Sequence, residues 1–292
     1  MFIKNESEGI VYYTSPLLSE AGFFHMFCTR HGGVSHGDFE SLNVSTARKD
    51  RNGFADSASH VEENYRRALH VLKTQPEEAC AAKQVHSDIL HYVAVTDGGR
   101  GILEHLSPLS DCDGVLLTPE NEKIRAVCVK TADCVPILLA NRQTGAVCAV
   151  HAGWRGSAAD IAGKAATALA DGHMENVLAA IGPCIGLCCY EVGDELYRAF
   201  SRLFHYNKAA DEVDRYLPLF PSCSMGGKRH ADLAGINRVL LEYHGVLPGN
   251  IDVSSLCTSC TTDAATGEKL FFSHRASGGH SGTFPSIICV RK

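Results

Sequence analysis

A cysteine and a histidine stand beside two apolar runs in residues 131–156, TADCVPILLANRQTGAVCAVHAGWRG. Cys134 precedes the run at 135–140, and His151 follows the run at 146–150. The polar link at 141–145 ends in glycine, as hairpin loops commonly do. If the two predicted strands pair antiparallel through this link, Cys134 and His151 meet at one edge of the sheet. That arrangement suits metal binding or nucleophilic chemistry.

Thiolate and imidazole are both good ligands for borderline-soft metals such as zinc and copper. A catalytic zinc site usually has three protein ligands, so a third is required. His86 is the candidate, because it lies in the segment KQVHSD at the edge of a predicted strand, next to the carboxylate of Asp88. A lone histidine is more often structural, and a chain with 15 histidines and 13 cysteines allows chance combinations. The trio is therefore a hypothesis on spacing alone.

Other thiols form two further pairs. Cys257 and Cys260 form a CxxC motif, which could be half of a structural zinc site or a redox pair. No second CxxC is present to complete a zinc site. The adjacent Cys188 and Cys189 do not easily share one metal ion in extended backbone. We interpret all four mainly as buried or loop thiols.

Composition narrows the class of protein. The chain has 292 residues and a net charge of −6 without a basic block, which argues against nucleic acid as a partner. Neither a secretory signal nor an apolar run long enough for a membrane span is visible. The odd number of cysteines, 13, without framework spacing predicts reduced thiols in a cytoplasmic protein. The sequence contains no P-loop, dinucleotide-binding fingerprint or GxSxG elbow. We expect the protein to be a monomer or a small homo-oligomer.

Hydrophobic periodicity predicts alternating strands and helices in one mixed α/β domain over residues 1–292. Helices are expected over 58–73, 158–170 and 232–243, and another is expected with Leu196, Phe200 and Leu203 on one face. Strands are expected at 9–14, 23–29, 89–95, 115–117, 125–129, 176–181, 251–256 and 286–290. Residues 205–228, with several prolines and glycines, are predicted to be an irregular excursion.

Several segments, in order along the chain, resemble the YfiH-like laccase-domain family. They are TRHGGVS (29–35), KQVHSD (83–88), DCDGVL (111–116), TADCVPILL (131–139), VHAGWRG (150–156), IGPCIGLCCYEVG (181–193) and FFSHR (271–275). The resemblance implies a layered α/β/β/α fold with mixed sheets, of α+β type. It also implies three metal ligands, which fall on His86, Cys134 and His151.

The resemblance also implies an activity. Members of the family are named polyphenol oxidases or purine nucleoside phosphorylases with adenosine deaminase activity. Zinc on the trio would then serve the cleavage of adenosine, inosine, guanosine or methylthioadenosine by phosphate. Asp133, beside the ligand Cys134, would orient a ligand or transfer a proton.

Phosphate needs cations, and guanidinium binds phosphate through two parallel hydrogen bonds. Arg30, Arg155 and Arg275 lie on matching motifs and are the expected phosphate-binding residues. Arg155 has an alternative structural interpretation, in which it caps a helix or pairs with a buried carboxylate.

Two other classes of function stay open. One is a copper-dependent phenol oxidase, with copper as the alternative metal. A multicopper oxidase needs a histidine-rich cluster, and the chain contains no His-x-His. The other is a non-catalytic zinc-binding protein. A zinc-dependent nucleoside enzyme, in contrast, is predicted to hold about one zinc ion per chain through three protein ligands.

Overall fold

Short strands provide most of the regular structure in this computed structural model, which describes residues 1–196, 198–200 and 229–291. The strands are β1 (Ile3–Ser7), β2 (Ile10–Thr14), β3 (His25–Cys28), β4 (Ala79–Ala81), β5 (Leu90–Tyr92), β6 (Gly114–Leu117), β7 (Ala126–Thr131), β8 (Val135–Asn141), β9 (Val147–Ala152), β10 (Val177–Ile181), β11 (Glu191–Val192), β12 (Arg229–His230), β13 (Ile251–Val253) and β14 (Phe284–Cys289). The helices are α1 (Pro16–Glu20), α2 (Ala58–Val71), α3 (Trp154–Ala158), α4 (Ile161–Ala170) and α5 (Leu233–Tyr243). Residues 194–196 and 198–200 are also helical.

The strands form two six-stranded mixed sheets. The first has the order β1-β2-β3-β14-β7-β4, and the second has the order β13-β10-β8-β9-β6-β5. Most neighbours are antiparallel, whereas β4–β7, β5–β6 and β10–β13 are parallel. β11 and β12 form a separate antiparallel pair.

The layers follow from the alternation of side chains along the central strands. In β8, Leu138 and Ala140 face the core between the two sheets, whereas Ile137 and Leu139 face the core shared with α4 and α5. On the far side, α2 packs Tyr65 and Leu69 against the first sheet. The order is therefore helix, sheet, sheet, helix, and the predicted α/β/β/α fold is confirmed. None of the described helices has the length and apolar character needed to cross a membrane.

The predicted helix over 158–170 is wrong as a single element. The chain forms α3 and α4 instead, because Asp160 adopts a left-handed conformation with φ of +63° and breaks the helix. Its carboxylate then caps α4 by accepting a hydrogen bond from the Gly163 amide. The helices predicted at 58–73 and 232–243 are confirmed within two residues. Leu203 and the segment 205–228 lie outside the described residues.

The predicted hairpin is confirmed and carries the site. β8 and β9 pair antiparallel, with Val135 opposite Ala152 and Pro136 opposite His151. Both strands are slightly longer than predicted, so His151 lies inside β9 rather than just beyond it. Every residue of the two strands is buried. The hairpin is therefore a rigid support for side chains at its open end.

Candidate functional site

His86, Cys134 and His151 come together at the open end of the β8–β9 hairpin. Cys134 ends the turn between β7 and β8, and His86 lies in the loop between β4 and β5. The Cys134 sulfur lies 3.8 Å from His86 Nε2, and the two imidazole rings meet edge to face with centroids 4.9 Å apart. One ligand atom from each residue lies within 4.8 Å of the others. The structure thus gathers the trio that the sequence predicted, although the metal role itself stays a prediction.

Asp113 organises the trio from behind. Its fully buried carboxylate accepts a hydrogen bond of 2.8 Å from His151 Nδ1, which leaves Nε2 as the nitrogen free to bind a metal. The same carboxylate accepts hydrogen bonds from the amides of Val85, His86 and Ser87, at 3.2, 3.1 and 2.6 Å. One side chain therefore fixes both the imidazole of His151 and the loop that carries His86.

The electrostatics favour a charged cysteine–histidine pair in the metal-free site. Burial alone would raise the pKa of the Cys134 thiol, but the neighbouring His151 and His86 outweigh it and lower that pKa to about 6. Burial alone would lower the pKa of His151, but Cys134 and Asp113 raise it to about 9. Burial likewise opposes the ionisation of Asp113, whose hydrogen bonds from His151 and Ser87 lower its pKa to about 2. A thiolate ready to bind a cation results.

Gly153 is needed for the three side chains to close on one another. A Cβ atom at this position would lie 2.7 Å from the His86 ring and 3.3 Å from the Cys134 sulfur. The sequence motif HAGWRG thus owes its first glycine to the space that the trio occupies. This is a packing requirement on the site, and it is separate from the chemistry.

A cavity of about 330 Å³ opens over the trio, within the range of small-molecule sites. His86 and Cys134 contribute to its wall, together with basic and aromatic side chains. The lining residues are Arg48, His86, Ala132, Asp133, Cys134, Trp154, Arg155, Ile185, Tyr190, Leu233, His274 and Arg275. A ligand there would contact the predicted metal ligands, aromatic surface and cations together.

Two of the three predicted phosphate-binding arginines line this cavity. The guanidinium of Arg155 stacks over Trp154 at 4.3 Å. That of Arg275 donates to the Glu191 carbonyl at 3.0 Å and lies over Tyr190 at 5.5 Å. Arg155 therefore packs on an aromatic ring at the mouth of the cavity.

Arg30 lies outside this cavity. Its guanidinium donates to the carbonyl of Glu40 and stacks over the Phe272 ring at 4.7 Å. It lines two neighbouring clefts instead. The motif TRHGGVS placed this cation near the site, but the fold directs it to a different surface.

Asp133 lies at the cavity with both carboxylate oxygens engaged. Oδ1 accepts from the Thr258 hydroxyl at 2.7 Å, and Oδ2 accepts from the Arg275 amide at 2.7 Å. These bonds join the turn before Cys134 to two later loops. The predicted roles in ligand orientation and proton transfer stay predictions, and the observed contacts position the loops.

Comparison with known proteins shows the family. A family model described as multi-copper polyphenol oxidoreductase laccase matches residues 24–291. The chain belongs to this laccase family. Its name describes an oxidase, whereas several curated members carry other names.

Two relatives illustrate those names. A protein of Geobacillus stearothermophilus named purine nucleoside phosphorylase YlmD is 34% identical over 93% of this chain and 92% of its own. A protein from an unknown prokaryotic organism named adenosine deaminase RL5 is 40% identical over 54% of this chain and 56% of its own. Curated laccase-family relatives of this chain thus carry the names of nucleoside enzymes.

The fold is shared with a protein of known structure. The crystal structure of the hypothetical protein YfiH from Bacillus licheniformis superposes with a TM-score of 0.82 at 28% identity. The match covers 99% of both chains, so the two proteins share the whole layered architecture.

Sequence reasoning missed two residues of this laccase-family site. Asp113 was visible within the motif DCDGVL, but only the fold shows that it reaches His151, which lies 38 positions along the chain. Arg48 lies in no recognisable motif, yet its guanidinium lines the cavity and hydrogen-bonds His274 Nδ1 at 3.0 Å. Only the second of these carried no sequence signal at all.

Proposed function

We propose that this protein is a zinc-dependent purine nucleoside phosphorylase with adenosine deaminase activity, acting in the cavity over His86, Cys134 and His151. One observation carries the proposal: Cys134 and His86, which lie together with His151 as possible metal ligands, line a cavity that also holds three arginines. The names of the relatives support the same substrate class.

The donor set fits zinc. His86, Cys134 and His151 would supply one thiolate and two imidazoles, and three protein ligands are the number found in catalytic rather than structural zinc sites. When bound there, zinc supplies Lewis-acid polarisation and lowers the pKa of water toward about 7. Asp113 orients His151 for this role through the 2.8 Å hydrogen bond.

Phosphorolysis needs an anion site beside the sugar. Arg48, Arg155 and Arg275 bring three permanent cations to the cavity, and they would hold the phosphate dianion against the C1′ carbon. A phosphate oxygen then bonds to C1′ as the bond from C1′ to the base nitrogen breaks. The leaving base takes up a proton and departs with the bonding electrons.

Two lining residues can hydrogen-bond a purine. The pKa of Tyr190 is raised to about 12, mainly by burial, so its hydroxyl keeps its proton as a donor. Burial and the nearby Arg48 lower the pKa of His274, which is therefore neutral at pH 7 and accepts the Arg48 hydrogen bond at Nδ1. Its Nε2–H remains a donor. We propose these two groups as contacts to the base.

The test measures how base release and deamination depend on the bound metal, in one set of samples. Zinc-loaded protein, copper-loaded protein and His151→Ala protein are given inosine or adenosine, with and without phosphate, and the base is followed by chromatography. We expect phosphate-dependent base release and inosine formation from adenosine only in zinc-loaded protein. Absence of both reactions in fully zinc-loaded protein would refute the proposal.

A copper-dependent phenol oxidase is the second candidate, supported by the description of the family model. A Cys-His-His site also binds copper, because Cu²⁺ exceeds Zn²⁺ in affinity for such ligands. However, the described residues contain no histidine-rich cluster of the kind that a multicopper oxidase requires. We therefore assign phenol oxidation, where copper is loaded, to a side reaction.

Other expectations stay part of the proposal. None of the described cysteines forms a disulfide, which supports a reducing compartment such as the cytoplasm. The state of assembly, a monomer or a small homo-oligomer, stays a prediction.

A further inference from the structure

Four cysteines outside the candidate active site meet at one point on the surface. Cys188 and Cys189 come from the loop after β10, and Cys257 and Cys260 come from the loop after β13. All four sulfurs lie within 4.8 Å of one another, and Cys188 and Cys260 are 3.6 Å apart. In tetrahedral zinc sites, Zn–S bonds of about 2.3 Å place the sulfurs about 3.8 Å apart. The observed spacing is therefore close to that of a four-thiolate site.

The backbone conformation explains how the adjacent residues Cys188 and Cys189 can both supply a ligand to one metal ion. In extended backbone, neighbouring side chains point to opposite sides, so Cys188 and Cys189 could not easily share one metal ion. Here the residues lie in a turn, closed by hydrogen bonds from the amides of Cys189 and Tyr190 to the Gly186 carbonyl, at 2.9 and 3.0 Å. Both sulfurs consequently face the CxxC motif.

The surroundings of Cys257 suit a thiolate. The Gly186 amide donates to the Cys257 sulfur at 3.2 Å, and the amides of Ser259 and Cys260 donate to the same atom. Lys269 brings a cation close, since its ammonium donates to the Ser259 carbonyl at 2.8 Å. Gly186 also keeps the packing of the two loops open, because a Cβ there would lie 3.2 Å from the Cys257 Cβ.

We propose that Cys188, Cys189, Cys257 and Cys260 form a second, structural zinc site. Four thiolates satisfy tetrahedral coordination, so no position stays open for substrate. The ion would tie the loop after β10 to the loop after β13. The two loops already meet where the Thr258 amide donates to the Cys184 carbonyl at 2.9 Å.

The site would also support the cavity. The Ile185 amide donates to the Asp133 carbonyl at 2.9 Å, and the Thr258 hydroxyl donates to the Asp133 carboxylate. Both clamped loops therefore hold the residue that precedes Cys134. The inference does not depend on the nucleoside reaction, because it concerns only metal content and loop anchoring.

Metal content provides the first test. Protein purified from zinc-supplemented medium is analysed for zinc per chain in the wild type, in Cys134→Ala, and in Cys188→Ser/Cys260→Ser, whose two substituted side chains are exposed. We expect about two, one and one zinc ions. Cys184→Ala is the matched control, because it removes a thiol from the same loop outside the cluster and should keep two. A wild type and a double variant that both hold one ion would overturn the proposal.

Cobalt provides a test that does not depend on the folding of the double variant. Cys134→Ala protein, stripped of metal under reducing conditions, is titrated with Co²⁺ alone. It lacks the thiolate of the first site, so among the described residues the four-cysteine cluster is the group of thiols expected to give thiolate-to-cobalt charge-transfer absorption. We expect saturation at one ion, with the spectrum of a tetrahedral thiolate site. No charge-transfer band, or the loss of four thiols to disulfides in protein purified without reductant, would contradict the inference.

Discussion

Two clusters of candidate metal ligands in this protein differ in what supports them. In the Cys-His-His site, His151 lies in β9, Cys134 directly precedes β8 and His86 lies in a loop, and a buried carboxylate, Asp113, orients the site. The four-cysteine cluster is built on two loop turns and supported by backbone amides. The first faces a cavity of about 330 Å³, whereas the second has Cys188 and Cys260 exposed at the surface.

This difference in support agrees with a reactive role for the Cys-His-His site and a structural role for the four-cysteine cluster. An incomplete ligand set would leave one position for a reacting oxygen, so its geometry must not relax. A complete set on loops has no such position, and its effect is to hold the loops in place. We therefore expect the two sites to respond differently to the same kind of change.

The largest contrast is expected in activity. A bound metal contributes several kcal/mol of transition-state stabilisation, so Cys134→Ala should lower kcat/KM for inosine about 10³-fold or more. Cys188→Ser/Cys260→Ser should change it much less, because the cluster touches no substrate. Steady-state phosphorolysis of matched, folded samples measures both. Equal losses in the two variants would remove the distinction between the sites.

The next contrast concerns the carboxylate behind the first site. Replacing such a metal-orienting partner typically lowers metal affinity or activity about 10–100-fold, and we expect this range for Asp113→Asn. Asn keeps the shape of the side chain but replaces one accepting oxygen with an NH2 donor. It therefore cannot accept all of the hydrogen bonds that Asp113 accepts from His151 and the loop amides. Competition with a chelator measures zinc affinity at each site. Unchanged affinity at the Cys-His-His site would show that Asp113 has no orienting role.

A smaller effect is expected at the anion site. Loss of one charge-assisted hydrogen bond costs about 1.5–3 kcal/mol, so Arg48→Ala should raise the KM for phosphate about tenfold or more. Deamination of adenosine, which uses no phosphate, should change less, and only through the lost hydrogen bond to His274. Arg30→Ala is the matched control, because Arg30 lies outside the cavity. If both reactions fell equally in Arg48→Ala, its role would be structural.

The smallest contrast is the number of protons released on zinc binding. At pH 7 Cys134, with a pKa lowered to about 6, is already charged, while His151, with a pKa raised to about 9, still holds a proton. Zinc affinity of the first site should therefore rise about tenfold per pH unit and level off above about pH 9.

The four-cysteine cluster should show a steeper pH dependence. Burial and the neighbouring thiols raise the pKa of Cys188 and of Cys260, so both are protonated at pH 7. At least two protons then leave on binding, and affinity should rise by at least about a hundredfold per pH unit near pH 7. Zinc titrations of Cys134→Ala and of Cys188→Ser/Cys260→Ser across pH isolate the two slopes. Equal slopes would contradict the assigned ionisation states.

Local patterns predicted the hairpin because its information lies within 131–156: two apolar runs, a polar link and Gly145, whose φ is +82°. They did not predict the break at Asp160, where a capping carboxylate overrode a run of good helix formers. Contacts between distant segments were also missed. Cys188 and Cys260 lie 72 positions apart, so only the pairing of their loops brings them together.

The same limit applies to the cations. Motif membership placed Arg30, Arg155 and Arg275 on equal terms, and the fold brought only the last two to the cavity. Arg48 joined them from a segment without any motif. The motifs therefore predicted which three residues lie together as candidate metal ligands, but they did not predict which arginines reach the cavity.

The most direct test of the proposed reaction is the fate of the sugar. Zinc-loaded wild type is incubated with inosine and inorganic phosphate, and the products are quantified by phosphorus NMR and chromatography. We predict one equivalent of ribose 1-phosphate for each hypoxanthine released, and no oxidation of a phenol by the same sample. Phenol oxidation by the zinc form, with no base released from any purine nucleoside, would contradict the account.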